Sequence, residues 1–192
     1  MVRVREQSGF FVKLTDDEMR MAAQRGIERH IDCLRRGLTH LYGADHKDGW
    51  AMNIEGACGE LVVAQIFGLY WCGNLGNFAA SDVGPLEVRT CRNINDPVLS
   101  LWQKDKDEAP FLLVVGNNGE YELVGWTFPA DWKRQEYWRD HYGKGRYAYC
   151  VLPKDLRPMG ELFERAADWY RRRLGLRLGV ECSMPESAEA LP

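Results

Sequence analysis

The chain has 192 residues, 45% of them apolar and 28% charged, which describes one sizeable globular core and excludes disorder over most of its length. A formal charge of −3 excludes binding of nucleic acid through overall basicity, so an anionic partner has to be met by a local patch. No apolar run approaches the roughly 18 residues that span a bilayer, and Met1-Val2-Arg3-Val4-Arg5-Glu6-Gln7 lacks the apolar stretch of a secretory signal. The expectation is a cytoplasmic protein with no membrane partner. Six cysteines (Cys33, Cys58, Cys72, Cys91, Cys150, Cys182) are scattered without C-x-x-C pairs, a pattern of reduced thiols rather than of disulfides or zinc ligands.

Thr15-Asp16-Asp17-Glu18 has the form of a capping box, and Ile27, Ile31, Leu34, Leu38 and Leu41 then recur at helical spacing, which predicts a helix over 14–43 with Gly43 as its stop. A second helix is predicted over 53–67, with Ile54, Ala57, Cys58, Leu61, Val62 and Ile66 on one face and Gly68 following. Gly56, Ala57 and Gly59 lower its helix propensity but let another backbone come close, which suits a helix pressed against a sheet. Residues 69–71 read as a short strand and 72–80 as a loop.

The period then changes to two. Strands are expected over 81–83 and 86–90 around the turn Gly84-Pro85, and over 98–102, 111–115 and 121–126, the last two joined as a hairpin by Gly116-Asn117-Asn118-Gly119. Residues 132–142 read as helical, 147–151 as a strand, and 161–174 as a closing helix with Leu162, Phe163, Ala166, Trp169 and Tyr170 near one face. From Gly179 onward Glu, Ser, Pro and Ala dominate, which predicts a frayed tail. The reading is a single α/β domain over 1–178, a central mixed sheet flanked by helices. It comprises an N-terminal helix (14–43), a core (53–151) and a closing helix (159–174), with a flexible tail over 179–192.

The chemistry concentrates between Asp82 and Arg89. If Gly84-Pro85 are the central residues of a tight hairpin, Val83 pairs with Leu86 and Asp82 lies opposite Glu87, with Arg89 on the same face and Val83, Leu86 and Val88 turned to the core. Like charges opposite each other on a sheet are destabilising, so such a pair calls for a cation, a raised pKa or full exposure. A divalent metal is the strongest compensation, since Mg²⁺ takes one or two carboxylates and leaves room for water and phosphate. Glu60, on the preceding helix, supplies a third acid, whereas Glu55 is expected to point elsewhere.

Glu55-Gly56-Ala57-Cys58-Gly59-Glu60-Leu61 together with Asp82-Val83-Gly84-Pro85-Leu86-Glu87-Val88-Arg89 resembles the PD-(D/E)xK superfamily of nucleases, and within it small uncharacterised bacteriophage members. The resemblance spans about residues 53–126. It implies a restriction-endonuclease-like αβββαβ core with an added N-terminal and C-terminal helix, and Mg²⁺- or Mn²⁺-dependent cleavage of DNA in the cytoplasm of a bacterial host. It further implies that Asp82, Glu87 and the Val88 carbonyl hold the metal, with Glu60 binding it directly or through water. The family's usual lysine is Arg89 here; a guanidinium stabilises phosphoryl charge but cannot act as a base. Lys104, or Lys106, offers a displaced lysine.

Residues 131–146 interleave basic and aromatic side chains. Lys133, Arg134, Arg139, Lys144 and Arg146 are candidates for phosphate contact, with Trp or Tyr stacking on exposed bases; the same residues also suit a solvated face anchored by Trp132 and Trp138. No Walker A or dinucleotide-binding glycine motif and no histidine metal motif occurs. The functional expectation is a DNA endonuclease or exonuclease. The alternative is a catalytically inactive module of the same fold that binds DNA or a host protein, and a homodimer suits either.

Overall fold

The computed structural model describes residues 2–5, 9–37, 49–73 and 81–173, with the backbone alone for 2–5 and 167–173. The capping box forms: Glu18 N–H donates to Thr15 Oγ1 (3.3 Å) while Thr15 N–H donates to the Glu18 carboxylate (2.7 Å). It opens α1 (Asp16–Arg35), which ends before the expected Gly43, with Gly37 just beyond it at φ +62°; residues 38–48, including Leu38 and Leu41, lie outside the described residues.

The buried face of α1 is Ala22, Gly26 and His30, not the expected aliphatic stripe, of which Ile27 is 38% and Leu34 59% exposed. The cause is the crossing with α2 (Gly49–Phe67). A Cβ on Gly26 would fall 2.5 Å from the Ile54 Cα, so the two backbones touch, and only small side chains allow that approach. Helix α2 starts one turn earlier than expected, and from Ala57 to Ala64 it is buried all round.

Its other side lies on a sheet. The strands are β1 (Val2–Arg5), β2 (Gly9–Lys13), β3 (Glu87–Cys91), β4 (Leu99–Leu101), β5 (Phe111–Asn117), β6 (Glu120–Thr127), β7 (Trp138–Arg139) and β8 (Ala148–Val151). A five-stranded sheet runs β1-β2-β6-β5-β3, antiparallel except for the parallel pair β3 and β5, and a three-stranded antiparallel sheet runs β4-β8-β7. Gly59 meets Thr90 of β3 so closely that a Cβ there would overlap its hydroxyl, which is the tight helix-on-sheet contact expected of the small residues. Gly56 faces open space and plays no such part.

Strand β5 is buried on both faces. Leu112 and Val114 join Val62, Tyr121, Leu123 and Trp126 under α2, while Phe111, Leu113 and Val115 pack on Leu99, Leu101 and Val151 of the second sheet. The molecule is thus mixed α/β in three layers: helices, five-stranded sheet, three-stranded sheet. The expected β5–β6 hairpin forms around Asn118 (φ +53°) and Gly119 (φ +87°), the positive-φ pair that a two-residue turn demands.

Four expectations are corrected. Residues 2–5 and 9–13 are strands, and residues 69–71 are not. The 98–102 strand does not join the central sheet but crosses to the second one as β4, because Leu99 and Leu101 both face inward to the inter-sheet core. The 132–142 stretch is not helical; it holds a 3-10 turn (Gln135–Tyr137) and then β7. There Trp132 Nε1 donates to Thr127 Oγ1 (2.8 Å) and its ring meets Tyr137 edge-on at 4.7 Å, side-chain anchors that hold the backbone out of helical geometry.

The closing helix α3 (Met159–Arg173) forms nearly as expected. Met159 and Leu162 are buried, and Phe163 stacks on Phe67 (4.6 Å) and meets Phe10 edge-on (5.0 Å). The side chains of Trp169 and Tyr170 and the predicted tail lie outside the described residues. Among the described residues five cysteines are free thiols, and no helix is long and apolar enough to cross a membrane.

Candidate functional site

Strand β3 is the outer strand of the five-stranded sheet, so every second N–H and C=O points away from β5. Glu87 N–H bonds the Pro110 carbonyl on the β5 side (3.0 Å). Val88 N–H therefore points off the edge, where the Asp82 carboxylate accepts it at 2.8 Å.

The expected hairpin places Asp82 there. Val83 and Leu86 exchange both backbone bonds (3.1 and 2.9 Å) around Gly84-Pro85, with Gly84 at φ +58° as this turn requires. Val83, Leu86 and Val88 are buried, in agreement with the alternation. Arg89 Nη1 lies 4.0 Å from the Asp82 carboxylate and 3.3 Å from the Val88 carbonyl. Its other terminal nitrogen donates to Asp105 Oδ1 (3.1 Å), and the guanidinium rests against the rings of Phe111 (4.7 Å) and Trp102 (5.2 Å).

Asp105 is missed at the level of the sequence, where the candidates in this loop are lysines. It is the residue between Lys104 and Lys106, both exposed, that turns inward, held by the Trp102 N–H (2.9 Å). The same omission applies to Arg29. Glu60 is buried in α2, but both its oxygens lie in the fork of the Arg29 guanidinium from α1 (2.7 and 2.9 Å), and Trp71 Nε1 also donates to it (3.0 Å). Arg29 further reaches the Gly73 carbonyl (3.1 Å). Burial alone would lower the Arg29 pKa, yet the Glu60 and Asp82 charges hold it above the usual value.

The three acids share one electrostatic neighbourhood. Burial first, then the charges of Glu60 and Glu87, push the Asp82 carboxyl up to about 7, against the Val88 N–H and Arg89, which favour its ionised form. Among the described residues, however, no group of three His, Cys, Asp or Glu side chains is arranged to hold a metal ion. Glu60 is turned into its arginine pair.

The basic stretch divides. Lys133 is 12% exposed, and its ammonium meets the Gln103 carbonyl (2.9 Å), the Asp105 carbonyl and the Asp107 carboxylate (2.6 Å). Those acceptors engage all three protons, so Lys133 is a staple for the 103–107 loop rather than the expected phosphate contact. Arg134 donates to the Asp131 carbonyl (2.9 Å) and lies on the Tyr137 ring, and Arg139 donates to the Cys150 carbonyl (3.4 Å). Lys144 and Arg146 belong to a turn gathered by Asp140, which accepts from Gly145 N–H (2.6 Å). Burial raises the Asp140 pKa, but the N–H groups of 143–146 outweigh it and leave it below the usual range.

No family model, curated protein or solved structure matches this chain. The chemistry of the site therefore follows from its donors: the Asp82 carboxylate and the Val88 carbonyl at the outer edge of β3, beside a guanidinium and within electrostatic reach of Glu87. Next to them opens a cleft of about 290 Å³ that includes Arg89, Arg92 and Lys144 in its wall.

Proposed function

We propose that the chain is a Mg²⁺-dependent deoxyribonuclease of the PD-(D/E)xK kind, built on a restriction-endonuclease-like core and hydrolysing phosphodiester bonds at the outer edge of β3. The observation that carries this reading is the gathering of Asp82, Val88 and Arg89 on that edge: the Asp82 carboxylate accepts the Val88 N–H (2.8 Å) and lies 4.0 Å from the Arg89 guanidinium, which is 3.3 Å from the Val88 carbonyl, with Glu87 close enough to raise the Asp82 pKa. Asp82, Glu87 and the Val88 carbonyl are hard oxygen donors, which fits Mg²⁺ or Mn²⁺. Glu60 fits that role less well, since Arg29 and Trp71 engage its oxygens; its part is to hold α1 against α2 and add negative charge beside Asp82.

When bound, the ion supplies Lewis-acid activation of water and neutralises phosphoryl charge. Arg89, protonated at every working pH, stabilises the negative charge that builds on the phosphoryl oxygens and takes no proton from water. Asp105 and the Trp102 and Phe111 rings hold it in place. Lys104 remains an auxiliary cation by virtue of its loop alone.

A second reading is favoured by the Arg29–Glu60 pair and by the Arg89 guanidinium 4.0 Å from Asp82, which compensate two of the three acids without any metal. On that reading the chain is a catalytically inactive relative that binds DNA or a host protein. Incubation with linear, nicked, branched and single-stranded DNA in Mg²⁺ or Mn²⁺, alongside Asp82→Ala and Glu87→Ala, separates the two. Cleavage by the wild type and its loss in both variants is expected, together with a Mg²⁺-induced rise in melting temperature that Glu87→Ala loses. Absence of both effects in the wild type overturns the nuclease reading.

A further inference from the structure

The cleft beside Arg89 is formed by the end of β3 and its following residues, by β4, and by the 142–144 turn. Its wall carries Arg89, Arg92 and Lys144 and no carboxylate; Arg89 is paired with Asp105 behind the wall, so Arg92 and Lys144 make the local reversal of sign on a chain of net charge −3. Such a reversal concentrates anions at one place and leaves the remaining surface unattractive to them. Two aromatic rings, Trp102 and Tyr142, complete the wall. Tyr142 is 41% exposed, yet its hydroxyl donates to the Asp96 carbonyl (2.9 Å), so the ring is anchored and still presented. Trp102 is fixed from one side by the Arg89 guanidinium.

Cations that are solvated beside rings that are held is the combination that grips a nucleotide, its phosphate on the cations and its base against a ring. The volume, about 290 Å³, stands at the lower limit of small-molecule sites. A cleft on this scale suits one nucleotide at a time, and a ring can stack on a base only where that base is unpaired.

We propose that this cleft seats one unpaired nucleotide of a single DNA strand, with its phosphate against Arg92 and Lys144 and its base against Tyr142 or Trp102, so that the substrate is a single-stranded segment or a frayed end. This deepens the nuclease reading and rests on it for the direction of the strand, because Arg89 belongs both to the cleft and to the Asp82 edge. Binding itself needs no metal.

The test is fluorescence anisotropy of a labelled oligo(dT) and of a hairpin duplex of equal length, in EDTA, at several salt concentrations. The single strand is expected to bind about tenfold tighter than the duplex. Arg92→Ala combined with Lys144→Ala alters two exposed side chains, so the fold is kept. That variant is expected to weaken single-strand binding about tenfold and to reduce the log–log salt slope by about 0.7, since both cations face the one phosphate. Tyr142→Leu weakens binding by about tenfold at an unchanged slope.

Duplex binding as tight as single-strand binding, or a double variant indistinguishable from wild type, overturns the proposal. Absence of cleavage by the wild type with these binding results intact refutes the nuclease alone, and cleavage of duplex unaffected by the cleft variants refutes the cleft alone.

Discussion

Replacing Arg29 by Met removes the partner of a carboxylate whose side chain is only 4% exposed, and Arg29 itself is only 17% exposed. Glu60 would then keep one donor, Trp71 Nε1, in a site that water barely reaches. Breaking a buried pair from one side costs about 3–5 kcal/mol, and in a chain of this size each kcal/mol lowers the melting temperature by about 2–4 °C. A fall of roughly 6–20 °C is expected, with a matching loss in urea unfolding followed by circular dichroism. Replacing both partners, Arg29→Met with Glu60→Met, removes the orphaned charge as well, and buried ion pairs exchanged for apolar residues are often neutral or better. The double variant should therefore recover most of the loss, short of about 1 kcal/mol for each hydrogen bond left unmade at Trp71 and Gly73. An Arg29→Met loss below about 1 kcal/mol, or a double variant no more stable than the single one, refutes the view that this pair joins the two helices through a desolvated charge contact.

Asp82→Asn gives a pH signature. In the fold the carboxyl sits at about 7 against an ordinary 3.8, so the folded chain holds a proton that the unfolded chain has lost. Its contribution is complete below 3.8 and is lost as pH rises to about 7, a change of roughly 4 kcal/mol; urea unfolding across that range should show the fall in wild type and a flatter profile in the variant, and parallel profiles refute it. Gly26→Ala places a methyl group against the Ile54 backbone and should destabilise by about 1–3 kcal/mol. Gly56→Ala, which meets nothing, should stabilise by up to about 1 kcal/mol; equal unfolding midpoints for the two variants would contradict the close helix crossing. Lys133→Met should cost about 1–3 kcal/mol through the loosened 103–107 loop while the salt slope of DNA binding stays unchanged, and a reduced slope would return Lys133 to the phosphate contacts.

The parts legible in the sequence were those fixed by neighbours along the chain. The capping box at Thr15, the Gly84-Pro85 hairpin with Val83 and Leu86 turned inward, and the hairpin at 116–119 all depend on residues a few positions apart, and all form as expected, the last tightened to a two-residue turn at Asn118-Gly119. The alternation in Val2-Arg3-Val4-Arg5 is just as plain, and it pairs as β1 with β2. Periodicity misled at α1, where Ile27 and Leu34 make the better apolar stripe but the Ala22, Gly26 and His30 stripe permits the backbone crossing. Within the site, the three acids were legible because they stand in the strand and helix pattern. Their partners were not, since Arg29 comes from α1 and Asp105 from a loop. Nothing in the local spacing of either residue marks which carboxylate or guanidinium it will meet across the fold.

The order of strands also constrains how the molecule comes together. Phe10 pairs with Leu123, and β3 finds its neighbour β5 only after the chain has left for the other sheet and returned. As the chain emerges from a ribosome, the first hairpin waits with an open flank for a strand synthesised much later. Ordered pairings of such long sequence separation make slow folders, with hydrophobic segments exposed in the interval, so yield in a host should respond to chaperone supply and to lowered growth temperature more than to changes in the turns.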